Sequence, residues 1–137
     1  MRNVFADTGY WLGLLNPRDE LHDTCLGVSR SLGPVEIVTT EMVLVELLNY
    51  FAQQGQGLRA AATQLVARLG ESPDVRIVPQ SVAQFKEAFA EYARRPDQTW
   101  SLTDCASFQA MREQEMTEAL THDRHFVQAG FVALLRV

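Results

Sequence analysis

A chain of 137 residues is close to the size at which one core buries about two-thirds of the unfolded surface, so a single domain spanning residues 1–137 is expected. Hydrophobic residues make up 47% and charged residues 21%, which excludes the disordered, collagen-like and coiled-coil extremes. Twelve Lys and Arg against seventeen Asp and Glu leave a net charge of −5, so any polyanion must be held locally or through metal rather than by bulk positive charge.

Asn3 to Ala6 is a short apolar run with β-favouring Val4 and Phe5, ended by Asp7-Thr8-Gly9; it is the expected first strand. Tyr10 to Leu15 is apolar and helix-length until Asn16-Pro17 stops it, and Asp19 to Leu32 carries Leu21, Cys25, Val28 and Leu32 at helical spacing. After Gly33-Pro34, Val35 to Thr39 is the expected second strand, and Thr40 caps a helix running to Gln54. Leu58 to Leu69 is an amphipathic helix that Gly70 ends. Val75 to Val78 is the third strand, and Ser81 caps a helix over Val82 to Ala93 with Val82, Phe85 and Phe89 directed inward. Beyond the polar loop Arg94-Arg95-Pro96-Asp97, Ser101 caps Leu102 to Met116; Glu118 to Thr121 and Phe131 to Leu135 close the chain as strands.

Alternating strands and helices imply right-handed crossovers and a mostly parallel sheet with helices on both faces, a three-layer α/β/α sandwich. Cys25 and Cys105 lack the spacing of a disulfide framework or zinc site. Asp7 arrives too early for the apolar core of a signal peptide, and no apolar run approaches about 18 residues, so the expected location is cytoplasmic with no membrane partner.

In an open parallel sheet ligands bind at the rim formed by the carboxyl ends of the strands. Asp7 follows the first strand and Asp123 follows the strand ending at Thr121; Asp104 lies in the first turn of a helix expected to begin near that rim. Glu46 is the only charged residue between Met42 and Phe51, within a helix that also follows a strand. Each has an ordinary explanation: Asp7 as a helix cap, Asp104 as the capping-box partner of Ser101, Glu46 as part of a solvated stripe with Asn49 and Gln53, Asp123 as a turn residue. Four ordinary explanations must then each select a carboxylate at the same end of the sheet. Such carboxylates raise one another's pKa unless a cation intervenes, and an all-oxygen set points to Mg²⁺ or Mn²⁺ and to phosphodiester hydrolysis.

The segments Val4-Phe5-Ala6-Asp7-Thr8, Thr39 to Asn49, Ser101-Leu102-Thr103-Asp104 and Leu120-Thr121-His122-Asp123-Arg124-His125-Phe126 together resemble the PIN domain, and within it the VapC-type ribonuclease toxins, in order and over nearly the whole chain. The resemblance implies a metal-dependent endoribonuclease with Asp7, Glu46, Asp104 and Asp123 as its acidic quartet. Asp7 and Asp104 would be the principal ligands of Mg²⁺ or Mn²⁺, and Glu46 and Asp123 would bind a second ion or its waters. Thr8 or Thr121 would hydrogen-bond a ligand carboxylate or a metal water, and Ser101 would orient the Asp104 loop. It implies further a homodimer, an RNA substrate and an antitoxin whose tail covers the acidic rim. In some relatives the residue before the final Phe of the last motif is a further acid; here it is His125.

Among the remaining polar residues, Arg124 is the expected RNA contact, while His122 and His125 are second-rank candidates for phosphate or metal. The rival within this fold is a PIN module kept for binding RNA or protein with little catalysis, which would be expected to have lost one of the acids. Other classes fit less well. A haloacid-dehalogenase phosphatase needs a second Asp where Gly9 stands, a receiver domain needs a late Lys where the chain has only Lys86, and no glycine-rich phosphate loop occurs.

Overall fold

A computed structural model describes residues 1–137. In chain order the elements are β1 (Arg2–Ala6), α1 (Thr8–Leu15), α2 (His22–Ser31), β2 (Val35–Thr40), α3 (Glu41–Phe51), α4 (Gln56–Glu71), β3 (Val75–Val78), α5 (Val82–Arg94), α6 (Leu102–Glu113), β4 (Glu118–Leu120), α7 (Arg124–Gln128) and β5 (Val132–Ala133). The five strands form one sheet in the order β3-β2-β1-β4-β5, every pair parallel. Val4, Phe5 and Ala6 of β1 are fully buried at its centre, which explains why this strand is a continuous apolar run rather than an alternating one.

The register sets Phe5 opposite Val38 on one side and Ala119 on the other, and Ala6 opposite Leu120. The chain steps outward from β1 to β2 and β3, then returns past β1 to β4 and β5. With right-handed crossovers, this reversal puts α1 to α4 on one face and α5 to α7 on the other, completing the α/β/α sandwich. It also places a topological switch between β1 and β4, and the crevice of an open parallel sheet opens outside the carboxyl ends of two such strands.

Most elements lie where the sequence pattern puts them, and the differences have local causes. The third helix ends at Phe51 because Gly55, at φ 95°, reverses the chain into α4, which begins at Gln56. α6 ends at Glu113 because Glu115 turns into the left-handed region, letting Met116 N–H return to Met111 O. α7 is absent from the sequence reading: at five residues it is too short for periodicity, and it begins where the Asp123 side chain accepts the His125 N–H.

Two expectations are wrong: Gly70 does not end the fourth helix, which runs on to Glu71, and the face of α5 expected to be inward points outward. Val82, Phe85 and Phe89 of α5 face outward, 73%, 46% and 56% exposed, and only Ala88 of that helix is fully buried. α5 packs on α6, and its contact side is built from Ala88 and the polar groups of Glu87 and Glu91, which meet Gln109 and Arg112. Helical periodicity identifies an amphipathic helix but does not say which face meets the protein.

Close contact between α1 and α2 is set by Gly13. A Cβ at this position would lie 2.5 Å from Cys25 Sγ, and the thiol, buried among apolar groups, has its pKa pushed up to about 11.

Candidate active site

Three of the four acids sit where helices begin. Asp7 is the first residue after β1 and the N-cap of α1, its Oδ1 accepting from Thr8 N–H at 2.8 Å. Asp104 is the third residue of α6 and closes a capping box with Ser101: Asp104 N–H donates to Ser101 Oγ, and Ser101 N–H donates to Asp104 Oδ2, both at 3.0 Å. Asp123 caps α7, its Oδ1 accepting from His125 N–H at 2.9 Å. Helix starts direct backbone N–H groups and the positive end of the helix dipole at the acids, which is why carboxylates are tolerated there.

The capping and the clustering coexist. Asp7, Glu46, Asp104 and Asp123 all line one open hollow of about 300 Å³ at the carboxyl end of the sheet, together with Thr8, Thr121, His122 and the apolar wall of Leu12 and Leu21. Asp7 and Asp104 are buried, Asp123 is half-buried, and Glu46 on α3 is exposed at the mouth. Ser101 stands behind Asp104 as its cap, whereas Arg124 is exposed and outside the lining.

Thr121 ties the two strand ends together. Its hydroxyl donates to Asp7 Oδ2 at 2.8 Å and accepts from Asp123 N–H at 3.0 Å, while Asp7 N–H reaches Leu120 O at 3.2 Å. Both oxygens of Asp7 are thereby fixed by protein donors. No protein donor engages Asp104 Oδ1 or Asp123 Oδ2.

Burial pushes the Asp7 carboxyl up to about 7; the Thr121 and Thr8 hydrogen bonds oppose this, and the charges of Asp104 and Asp123 add to it. Burial likewise raises Asp104, against the hydrogen bonds from Ser101 and His125. The residues fit a hard divalent cation. Clustered carboxylates repel one another without one, and Thr8 Oγ1, beside Asp7, is buried with no protein partner.

His125, one of the two histidines of second rank, bonds directly to two of the acids. His125 Nδ1 is 2.9 Å from Asp104 Oδ2 and 3.3 Å from Asp123 Oδ1, and its Nε2 is 3.1 Å from Thr99 Oγ1. Asp104, Asp123 and His125 can each present a ligand atom within 4.8 Å of the others'. The signal for His125 is its place two residues after a capping Asp, which turns its ring back over the cap; Thr99 carries no comparable signal. A second hollow between α5 and α6 holds the pair of Arg112 with Glu91 at 2.7 Å and the contact of Gln109 with Glu87.

The fold and this rim define an α/β/α protein with a carboxylate cup at the switch point of a parallel sheet. The PIN domain family matches residues 4–132. The 23S rRNA-specific endonuclease VapC20 of Mycobacterium tuberculosis is 31% identical over 129 residues, covering 94% of this chain and 95% of that protein. The crystal structure of M. tuberculosis VapC20, a sarcin-ricin loop cleaving toxin, has a TM-score of 0.84 at 28% identity, covering 94% of this chain and 96% of that one. FitAcB from Neisseria gonorrhoeae shares the fold, with a TM-score of 0.65 at 21% identity and coverage of 95% and 94%. The chain belongs to the PIN domain family and, within it, to the VapC-type toxins.

Proposed function

We propose that this protein is an endoribonuclease toxin that works with Mg²⁺ or Mn²⁺, residues 1–137 acting as one PIN domain. The observation that carries the reading is that Asp7, Glu46, Asp104, Asp123 and the unpartnered Thr8 hydroxyl line a single hollow at the ends of β1 and β4. Asp7 and Asp104 would hold the principal ion, and Glu46 and Asp123 would hold a second ion or its waters. Such an ion supplies neutralisation of phosphodiester charge and activation of an attacking water.

The chain's own groups do the positioning. Thr8 N–H and the Thr121 hydroxyl fix Asp7, Ser101 N–H fixes Asp104, and the α7 start fixes Asp123, so the cup is built before an ion arrives. Arg124, exposed beside Asp123, meets the RNA backbone as the strand crosses the cup. Because the net charge is −5, Arg124 and the ion that the acids would hold, rather than the whole surface, would offset the substrate phosphate's charge.

The relative's name suggests 23S rRNA as the substrate to test first, and cytoplasm as the compartment. An antitoxin would cover the acidic rim. The outward row of Val82, Phe85, Phe89 and Tyr92 on α5 supports a homodimer, since scattered apolar residues are ordinary on a surface but a row along one helix marks a contact. The test is incubation of total RNA and intact ribosomes with purified protein, with Mg²⁺, with Mn²⁺ or with chelator. A discrete metal-dependent cut that disappears in Asp104→Asn supports the reading. Cleavage that persists in chelator or in the variant overturns it.

A further inference from the structure

The imidazole of His125 is held at both nitrogens. Nδ1 faces Asp104 Oδ2 at 2.9 Å, and Nε2 faces Thr99 Oγ1 at 3.1 Å. A carboxylate oxygen accepts, so Nδ1 carries the hydrogen; in the neutral ring Nε2 is then the acceptor, which the Thr99 hydroxyl satisfies as donor. Asp104 Oδ2 therefore takes two protein donors, Ser101 N–H on one side and His125 Nδ1–H on the other. The other oxygen, Oδ1, takes none. Two donors on one oxygen fix the rotation of the carboxylate about its terminal bond, which is otherwise broad.

Position in the chain adds to this. His125 lies in the first turn of α7, whose cap is Asp123, and Nδ1 is 3.3 Å from Asp123 Oδ1. One ring thus links the acid on α6 to the acid at the start of α7, helices that also meet through Phe108 and Phe126. Thr99 lies just before Trp100, which is buried against Phe108 with its Nε1 donating to Gln128. The loop end of the chain of hydrogen bonds is therefore anchored in the core and on α7.

We propose that His125 is a positioning residue: through the relay from the Thr99 hydroxyl to the His125 ring to Asp104 Oδ2, it presents Asp104 Oδ1 to the cup as a single, preset oxygen donor. The ring is not itself a ligand; both of its nitrogens are committed to protein partners, and the cup keeps an all-oxygen donor set suited to Mg²⁺ and Mn²⁺. The inference rests on the reading of the acids as a metal site.

The experiment is a Mn²⁺ titration followed by electron paramagnetic resonance at about pH 8, with Mg²⁺ competition, on the parent, His125→Ala, His125→Asn and Thr99→Val. An Asn side-chain amide can place its N–H near the position of His Nδ1–H. His125→Ala is expected to weaken Mn²⁺ and Mg²⁺ by the same factor, about tenfold, the size of effect seen when a group supporting a metal ligand is removed. His125→Asn is expected to restore binding to within about threefold of the parent, and Thr99→Val to fall between the two. Nitrogen chemical shifts of the metal-free parent should show the Nδ1–H tautomer, and Thr99→Val should lose that preference; this readout needs no metal. Equal losses in Ala and Asn, larger for Mn²⁺ than for Mg²⁺, would make His125 a ligand and overturn the proposal, as would parent-like binding in His125→Ala. A parent that binds no Mn²⁺ would overturn the metal reading as well, whereas binding by the parent with the other failures leaves that reading standing.

Discussion

Replacing Asp7 with Asn tests the electrostatics of the cup without chemistry. In the metal-free fold the Asp7 carboxyl sits at about 7 instead of the ordinary 3.8, chiefly because it is buried. The native state therefore keeps a proton that the unfolded chain gives up near 3.8, and stability contributed by the protonated form is lost as pH rises toward and through about 7. Ionising the group above that point costs up to about 4 kcal/mol. Asn carries no charge, and its carbonyl can still accept from Thr8 N–H. Its amide N–H₂ then faces the Thr121 hydroxyl, which loses its acceptor at a cost of about 1 kcal/mol. Allowing for relaxation of the charged form, Asp7→Asn should stabilise the metal-free protein by about 2 kcal/mol at about pH 8, a rise in Tm of about 6 °C for a chain this size.

At about pH 5 Asp7 is protonated in the fold while the unfolded chain has already released its proton, so the penalty falls to about 1.6 kcal/mol, the lost Thr121 bond offsets most of it, and the two proteins should melt within about 2 °C of each other. The assay is calorimetric or fluorescence melting in chelator at the two pH values, at one fixed protein concentration. Millimolar Mn²⁺ should then raise the parent's Tm and leave the variant's nearly unchanged. An Asn variant less stable than the parent at both pH values, or displaced from it equally at both, refutes the argument.

The remaining predictions concern packing, the hydroxyl link and the surface. Gly13→Ala drives a methyl into Cys25 Sγ and should lower stability by about 1–3 kcal/mol in urea unfolding, although alanine is the better helix former; a stabilised variant would refute the close approach of α1 and α2. Thr121→Val keeps the shape but removes the donor to Asp7 and the acceptor of Asp123 N–H, so it should cost about 1–3 kcal/mol in the same assay and weaken Mn²⁺ binding. Phe89→Glu should shift sedimentation from dimer to monomer while leaving the far-ultraviolet circular dichroism spectrum unchanged; a parent that sediments as a monomer would refute the role given to the α5 row.

The architecture was readable because its signals are local. β1 is a buried apolar run, Ser81 and Ser101 cap their helices, and the strand-then-helix alternation leaves few topologies. The acids were readable for the same reason: Asp7 and Asp123 follow strand ends that a parallel sheet must bring to one rim. For Asp7 and Asp104 the capping role and the place in the cup turn out to be one arrangement, and Asp123, read as a turn residue, is a cap of the same kind, each side chain still lining the hollow. The contacts of His125 were not readable. They join residues 99, 104 and 125 across three segments, and no local pattern encodes that meeting. The orientation of α5 escaped for a related reason, because its apolar row indicates a contact while the packing side is decided by Ala88 and the partners offered by α6.

The cup draws on both ends of the chain, and this has a consequence for synthesis. Asp7 is made 114 residues before Thr121, which clamps its carboxylate, and β4 must pair with β1 before Thr121 and Asp123 arrive in place. A chain in which β4 is not yet made or paired thus exposes an incomplete, unclamped set of acids. The acids therefore reach their final spacing only once β4 has paired with β1, so closing the sheet and completing the cup are a single event.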